Sequence, residues 1–402
     1  MGTRFWRLFY AYVINTVGDE FFLLALPLVL LNLGYPSSVV TFVFGMMTFA
    51  TVLGGLTLGY LVDRFPVDAV ISCSYYASAA VLLLSAAAIA EGLDTTLVIL
   101  FAAAILGVFA AISSAAVDAG IPKVVKRPAQ VTRGYSLVES ARTTAAFVGP
   151  AMAGVVARLH NLAIVLVVNS VSFGISAAMI WRKPRRRQPA ADRPPSSGRW
   201  LEVLSGVRLV FRQRALHWGI GLSFIGNITL LGAAQPMFLI RLVRDFRLSS
   251  YTASAMIIAA GLVGVLAVQV MVRLQIKGEP FAVMLGASAI IGVSGLIIGA
   301  VNNWAVSGAA YCVIATAAIA YTVYWRTFRQ QIVSQGELGR VSSTCRSLAY
   351  IGLAAGAFIA GALQSAGLSV ATLFVLGGGA YCLSTALVFG LGRATIRAHT
   401  SK

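Results

Sequence analysis

The chain has 402 residues, 58% of them hydrophobic and 11% charged, with a mean hydropathy of +0.85 and a formal net charge of +18. An ordinary soluble domain is excluded, because about a quarter of its residues would be charged. The net charge alone would admit a nucleic-acid partner, but the positions of the basic residues exclude one.

Apolar stretches of spanning length recur about twelve times, near 7–33, 38–62, 67–90, 95–118, 136–158, 162–181, 217–240, 251–272, 281–301, 304–325, 343–364 and 369–392. Each predicts a helix. No small-residue cleavage site follows the first stretch, which is too long for a signal-peptide core, so it is expected to persist as a span.

That first stretch carries Asp19 and Glu20 side by side. Counted from Phe5 at roughly 1.5 Å per residue, Asp19 lies about 21 Å along the helix, past the midplane of a hydrocarbon core about 30 Å thick. A carboxylate at that depth costs several kcal/mol unless it faces a bundle interior or water, so function is the default reading. The alternatives are a helix that starts later or a purely structural polar contact. Asn15 and Asp19 share a face, whereas Glu20 is turned about 100° away, beside Tyr12 and Thr16. A carboxyl in low dielectric can take a proton on one side of the membrane and release it on the other as its exposure changes.

Asp118 stands near the end of the fourth stretch and Arg133 before the fifth. Asp118 is within expected reach of Arg64 or Arg133, more as a latch than a ligand. In the fifth stretch Glu139 and Arg142 are three apart and expected to pair, as a structural or gating contact. FVGPAMAG follows, with Gly149, Pro150 and Gly154. Glycine lets helices approach closely and proline frees a carbonyl, so this helix can bend.

The segment RKPRRRQPAADRPPSSGRW, 182–200, is too rich in Arg and Pro to bury a core. Beyond it Trp200, Leu204, Val207 and Phe211 recur at helical spacing while Glu202, Arg208 and Arg212 project elsewhere, which predicts an amphipathic helix on the membrane surface. The domains expected are therefore a bundle over 1–181, a linker over 182–216, a second bundle over 217–392 and a tail over 393–402. In the second half, Asn227 and Gln235 in the seventh stretch and Tyr311, Tyr321 and Tyr324 in the tenth offer hydrogen bonds and aromatic surface to a substrate, or else satisfied core packing. Its spans carry no acid.

The halves resemble each other. Arg133, Ser136, Gly149, Ala153 and Gly154 recur 207 residues later as Arg340, Ser343, Gly356, Ala360 and Gly361. With the N-terminus inside, 27 of the 31 Lys and Arg fall on the cytoplasmic side, leaving Arg158, Arg241, Arg244 and Arg247 outside. Both termini are then cytoplasmic. Cys73, Cys312, Cys345 and Cys382 are scattered without metal spacing. The histidines, His160, His217 and His399, stand in no HExxH motif, and no G-x-S-x-G or phosphate-binding glycine loop is present. No enzyme activity, metal or cofactor is expected.

In these residues the chain resembles the major facilitator superfamily across nearly its whole length. Gly59, Leu61, Asp63 and Arg64 in GYLVDRF stand where that family carries its G-x-L-x-D-R loop, although Pro66, Val67 and Asp68 follow where the family has Gly and basic residues. Gly149 and Pro150 are similar to the family's antiporter motif. Gly18 and Asp19, ALP at Ala25 to Pro27, the run IPKVV…RGYSLVESA and the segment 204–216 resemble the macrolide-efflux and enterobactin-exporter branch of drug:proton antiporters.

The resemblance implies an all-α membrane protein of twelve transmembrane helices in two pseudo-symmetric six-helix bundles. It also implies a monomer in a bacterial inner membrane, surrounded by lipid and exchanging protons for amphipathic small molecules. Proton-linked uptake and lipid translocation are the alternatives. Asp19 and Glu20 would couple protons. Asn15, Asn227, Gln235, Tyr311 and Tyr321 would meet substrate, while Asp63, Arg64, Asp118, Arg133, Glu139, Arg142 and Arg340 would latch and gate.

Overall fold

Long runs of Leu, Ala and Val, broken mainly by Gly-, Pro- and Asn-bearing turns, give helices and nothing else among the described residues. The computed structural model describes residues 2–58, 61–125, 128–181, 208–210, 214–273, 279–334 and 337–400. The predicted amphipathic helix lies almost wholly outside them.

The first half comprises α1 (Thr3–Asn32), α2 (Ser37–Leu58), the short α3 (Leu61–Arg64), α4 (Val67–Ala90), α5 (Thr95–Val124), α6 (Pro128–Val156) and α7 (Leu162–Ile180). Asp94 and Asn161 cap α5 and α7, their side chains accepting from Leu97 N at 2.9 Å and Ile164 N at 3.3 Å. The second half begins with α8 (Arg214–Gly226) and α9 (Gly232–Ile240), which continue one another through a π-turn at Asn227–Leu231; a second π-turn, Arg241–Asp245, ends this span. Then come α10 (Ser250–Arg273), α11 (Pro280–Ala300), α12 (Trp304–Ile332), α13 (Leu338–Ser365) and α14 (Val370–Thr400).

Eleven spans among the described residues are long and apolar enough to cross a membrane. The remaining long helix, α6, has 29 residues but carries Arg133, Glu139 and Arg142, which lower its hydropathy. Large apolar side chains such as Leu84, Leu97, Phe101 and Leu383 are more than two-thirds exposed, as lipid-facing residues are. The chain is a multi-pass membrane protein.

Two compact units emerge, Met1–Pro189 with Arg247–Ile258, and Ala190–Phe246 with Ala259–Lys402. In the first, α1 packs on α6 and α7, α4 on α5 and α7, and α2 on α5. The start of α10 belongs to this unit. Asn32, at the end of α1, donates to the hydroxyl of Ser250 at 2.9 Å and the carbonyl of Ala157 at 3.1 Å, while the Arg158 guanidinium lies 5.8 Å from the Tyr251 ring centre. In the second unit α11 packs on α12 and α14, and α13 covers the first π-turn.

Candidate functional site

Asp19 lies midway along α1, where the apolar sequence on either side leaves a polar stretch of the helix with nowhere to go but inward. Asn15, one turn earlier, is buried and donates its amide to the Asp19 carboxylate at 2.8 Å. Asp19 and Glu20 are half-buried, on different faces as their spacing requires. The Asn15 carbonyl oxygen is buried and accepts nothing from the described residues. Such an acceptor is satisfied by a water or a proton-bearing partner.

Two glycines set how tightly this stretch is held. A Cβ on Gly18 would fall 2.8 Å from the Asn169 side-chain oxygen and would strike Ser172, so α7 lies directly against it. A Cβ on Gly149 would fall 2.6 Å from the Glu20 Cβ, so the backbone of α6 presses on α1 at the acidic pair. Gly149, singled out from the sequence beside Pro150, thus meets Glu20. Gly154 faces another partner, because a Cβ there would fall 2.8 Å from the Ser254 hydroxyl in α10.

Beside Gly18 and within reach of Asp19 the fold gathers residues that sequence spacing did not reveal. Asn169 and Ser172 come from α7, the Ser172 hydroxyl bonding the Asn169 carbonyl at 2.8 Å and its side-chain oxygen at 3.1 Å. Tyr75 of α4 is buried within electrostatic reach of Asp19 and Tyr12. It also lines, with Phe5, Phe9, Tyr12, Ile71 and Ile121, an apolar cavity of about 30 Å³. The available signal was the polar run in otherwise apolar spans, SCSYYAS in α4 and NSVSFGIS in α7.

Glu139 and Arg142 pair at 2.7 Å, both exposed, as their spacing predicts. Arg142 lies within electrostatic reach of Glu20 and Tyr12. Arg64, Asp118 and Arg133 are exposed, and the Asp118 carbonyl accepts from the Tyr135 hydroxyl at 3.0 Å. The side chains of Asp63 and Arg340 lie outside the described residues. Where the loop departs from the family's basic pattern, Asp68 binds Arg4 of α1 at 2.9 Å, tying α4 to the start of the helix that carries Asp19.

The second unit holds the other predicted residues. Asn227 sits in the π-turn, buried, and donates to the Ala349 carbonyl of α13 at 3.1 Å. Tyr321 is buried and its hydroxyl donates to the Gly219 carbonyl at 3.0 Å. Each thus gives one hydrogen bond to the backbone of a neighbouring helix. Gln235 is half-buried, and Tyr311 stacks face to face on Phe238 with ring centres 4.0 Å apart. Arg241, counted from the sequence only among the outside charges, is buried in the second π-turn, paired with Asp245 at 3.0 Å and donating to the Val301 carbonyl at 3.0 Å. Among the described residues no cluster of His, Cys, Asp or Glu could hold a metal.

The family model of the Major Facilitator Superfamily matches residues 8–357. Among curated proteins none matches the chain. Solved structures of similar fold include the nucleoside transporter NupG, 12% identical, with a TM-score of 0.75 over 98% of this chain and 100% of that one. A bacterial homologue of the iron transporter ferroportin, in an inward-facing state, is 14% identical, with a TM-score of 0.73 over 97% and 99%. A POT family transporter in complex with 5-aminolevulinic acid is 10% identical, with a TM-score of 0.70 over 96% and 95%. At such identities the likeness is one of fold.

Proposed function

Because the chain belongs to the Major Facilitator Superfamily and is a membrane transporter, we propose that it exports amphipathic small molecules in exchange for protons, with Asp19 carrying the proton. The observation that carries this reading is the Asn15–Asp19 pair, a hydrogen-bonded carboxyl midway along a membrane-spanning helix and clamped by close helix contacts at Gly18 and Gly149.

A carboxyl so placed is neutral when protonated and charged when not, and the two forms differ in how readily they tolerate an apolar surrounding. In the proposed cycle Asp19 takes a proton from the acidic outside, and the neutral helix face returns inward. There it loses the proton as substrate binds. The Asn15 amide group supports both states, since its N–H donates to the carboxylate and its carbonyl can accept from the carboxylic acid. Glu20 is kept in check by Arg142, which stands within electrostatic reach.

For the substrate, Gln235 and Tyr311, the latter stacked on the buried Phe238, offer one amide and one phenol ring, which suits an amphipathic molecule. Asn227 and Tyr321 act through the helices they hold. The proposed setting is a bacterial inner membrane with both termini cytoplasmic, an orientation that the distribution of Lys and Arg supports.

The test is transport in proteoliposomes holding a pH gradient. The wild type moves an amphipathic cationic dye against the proton flow, and Asp19→Asn stops this movement while dye still binds. Normal gradient-driven transport by Asp19→Asn would remove Asp19 from the coupling step, and dye movement with the protons would reverse the direction proposed.

A further inference from the structure

In the second unit α11 and α14 touch closely along part of their length and part company along the rest. A Cβ on Gly292 would meet the Gly378 carbonyl at 3.0 Å, and one on Gly299 would meet the Ala371 carbonyl at 2.6 Å, so the backbones are in contact there. Toward the N-terminal end of α11 this ends. A Cβ on Gly286 would have nothing within 4 Å, and the helices splay around a groove of about 510 Å³.

The groove is walled by apolar side chains, with Phe281 buried and packed on Phe328 at one side and Phe389 half-exposed at the other. Its one hydroxyl, on Thr385, is already bonded to the Tyr381 carbonyl at 2.8 Å. From Gly286 to Glu279 the wall runs about 10 Å at the rise of a helix, most of one leaflet of a hydrocarbon core about 30 Å thick. In a membrane-spanning chain, an apolar groove of that reach has the length and chemistry of part of an acyl chain.

At the groove's end stands Glu279, exposed and in the N-cap position of α11. Its carboxylate caps no backbone N–H, and among the described residues it forms no ion pair. A carboxylate at headgroup level attracts a cation and repels an anion. A primary ammonium both neutralises it and donates hydrogen bonds, which a trimethylated ammonium cannot.

We infer that the groove between α11 and α14 binds a phospholipid with a primary-amine headgroup, its acyl chain along Gly286 and Phe389 and its ammonium on Glu279. The site is independent of the proton-coupling reading. It assigns a place to one specific lipid rather than to the bilayer at large.

The experiment is native mass spectrometry of the full chain released from nanodiscs of equal phosphatidylethanolamine, phosphatidylcholine and phosphatidylglycerol. The wild type should retain phosphatidylethanolamine about fivefold over phosphatidylcholine, the scale of the charge-assisted hydrogen bond that a trimethylated ammonium cannot donate. Glu279→Gln, a change at an exposed position, should bring the two to parity, and Gly286→Phe, which fills the groove, should remove the excess of retained phosphatidylethanolamine. Ala386→Phe fills the same groove from the other helix and serves where Gly286→Phe fails to fold. Equal retention by the wild type, a preference for phosphatidylglycerol, or an unchanged preference in Glu279→Gln would each overturn the assignment.

Discussion

The amide of Asn15 donates to the carboxylate of Asp19 at 2.8 Å, one helical turn away, and its carbonyl oxygen is buried with no donor among the described residues. The pair therefore has a bond ready for each protonation state of the acid. Asn15→Leu keeps the volume and removes both bonds. Gradient-driven transport should fall and its pH profile should move, while Asp19→Asn, with no proton to carry, shows no pH profile in the same proteoliposome assay.

Gly149 lies against Glu20 and the Phe21 backbone, with no room for a side chain. Gly149→Val should push α6 from α1 and destabilise the protein by about 1–3 kcal/mol, the range for overpacking. Thermal unfolding in detergent measures it. Gly174→Ala, at a position where a Cβ meets nothing within 4 Å, should leave stability nearly unchanged.

Arg241 is buried and Asp245 is partly exposed, so the two partners are not equivalent. Asp245→Ala leaves a buried guanidinium short of an acceptor and should cost about 1–2 kcal/mol after allowance for solvent screening at Asp245. In an Arg241→Met background the same change should cost almost nothing. A double-mutant cycle on unfolding reads the difference, and equal costs in both backgrounds would dismiss the pair as a source of stability.

Asn32 joins the ends of α1 and α6 to the first turn of α10 through two hydrogen bonds from one amide. Asn32→Ala should speed amide hydrogen exchange in the first turns of α10, within 250–258, without changing exchange in α4. Unchanged exchange there would mean that the Arg158–Tyr251 contact and the packing at Gly154 hold the segment alone.

Much of this was legible in the chain because it depends on local composition. A run of about twenty apolar residues in lipid can satisfy its backbone only as a helix, so the spans read directly. The exception is α6, whose charged residues lower its hydropathy while its length and helical form remain. Helical spacing likewise placed Asn15 with Asp19 and Glu139 with Arg142, since neighbours three or four apart share a face whatever the rest of the fold does.

Contacts between distant segments were a different matter. Nothing near Tyr75 or Asn169 in the chain announces that one comes within reach of Asp19 and the other lies against Gly18, because that depends on α7 packing on both α1 and α4. Asp68 read as a missing base in a loop motif, and only the fold, which brings the starts of α1 and α4 within side-chain reach, supplied Arg4 as its partner. Asn227 and Tyr321 looked like groups offered to a substrate, whereas their donors are bound to carbonyls of neighbouring helices.

By itself, then, the sequence determined that the protein spans a membrane as helices and that an acid is set into the first of them, since both follow from the cost of polar groups in hydrocarbon. The tertiary structure decided which groups touch that acid and which glycines clamp it. It also decided where α11 and α14 part to leave a groove. Helix packing turns on the shapes of whole surfaces, and a side chain's distant neighbours are not written in its own neighbourhood of the chain.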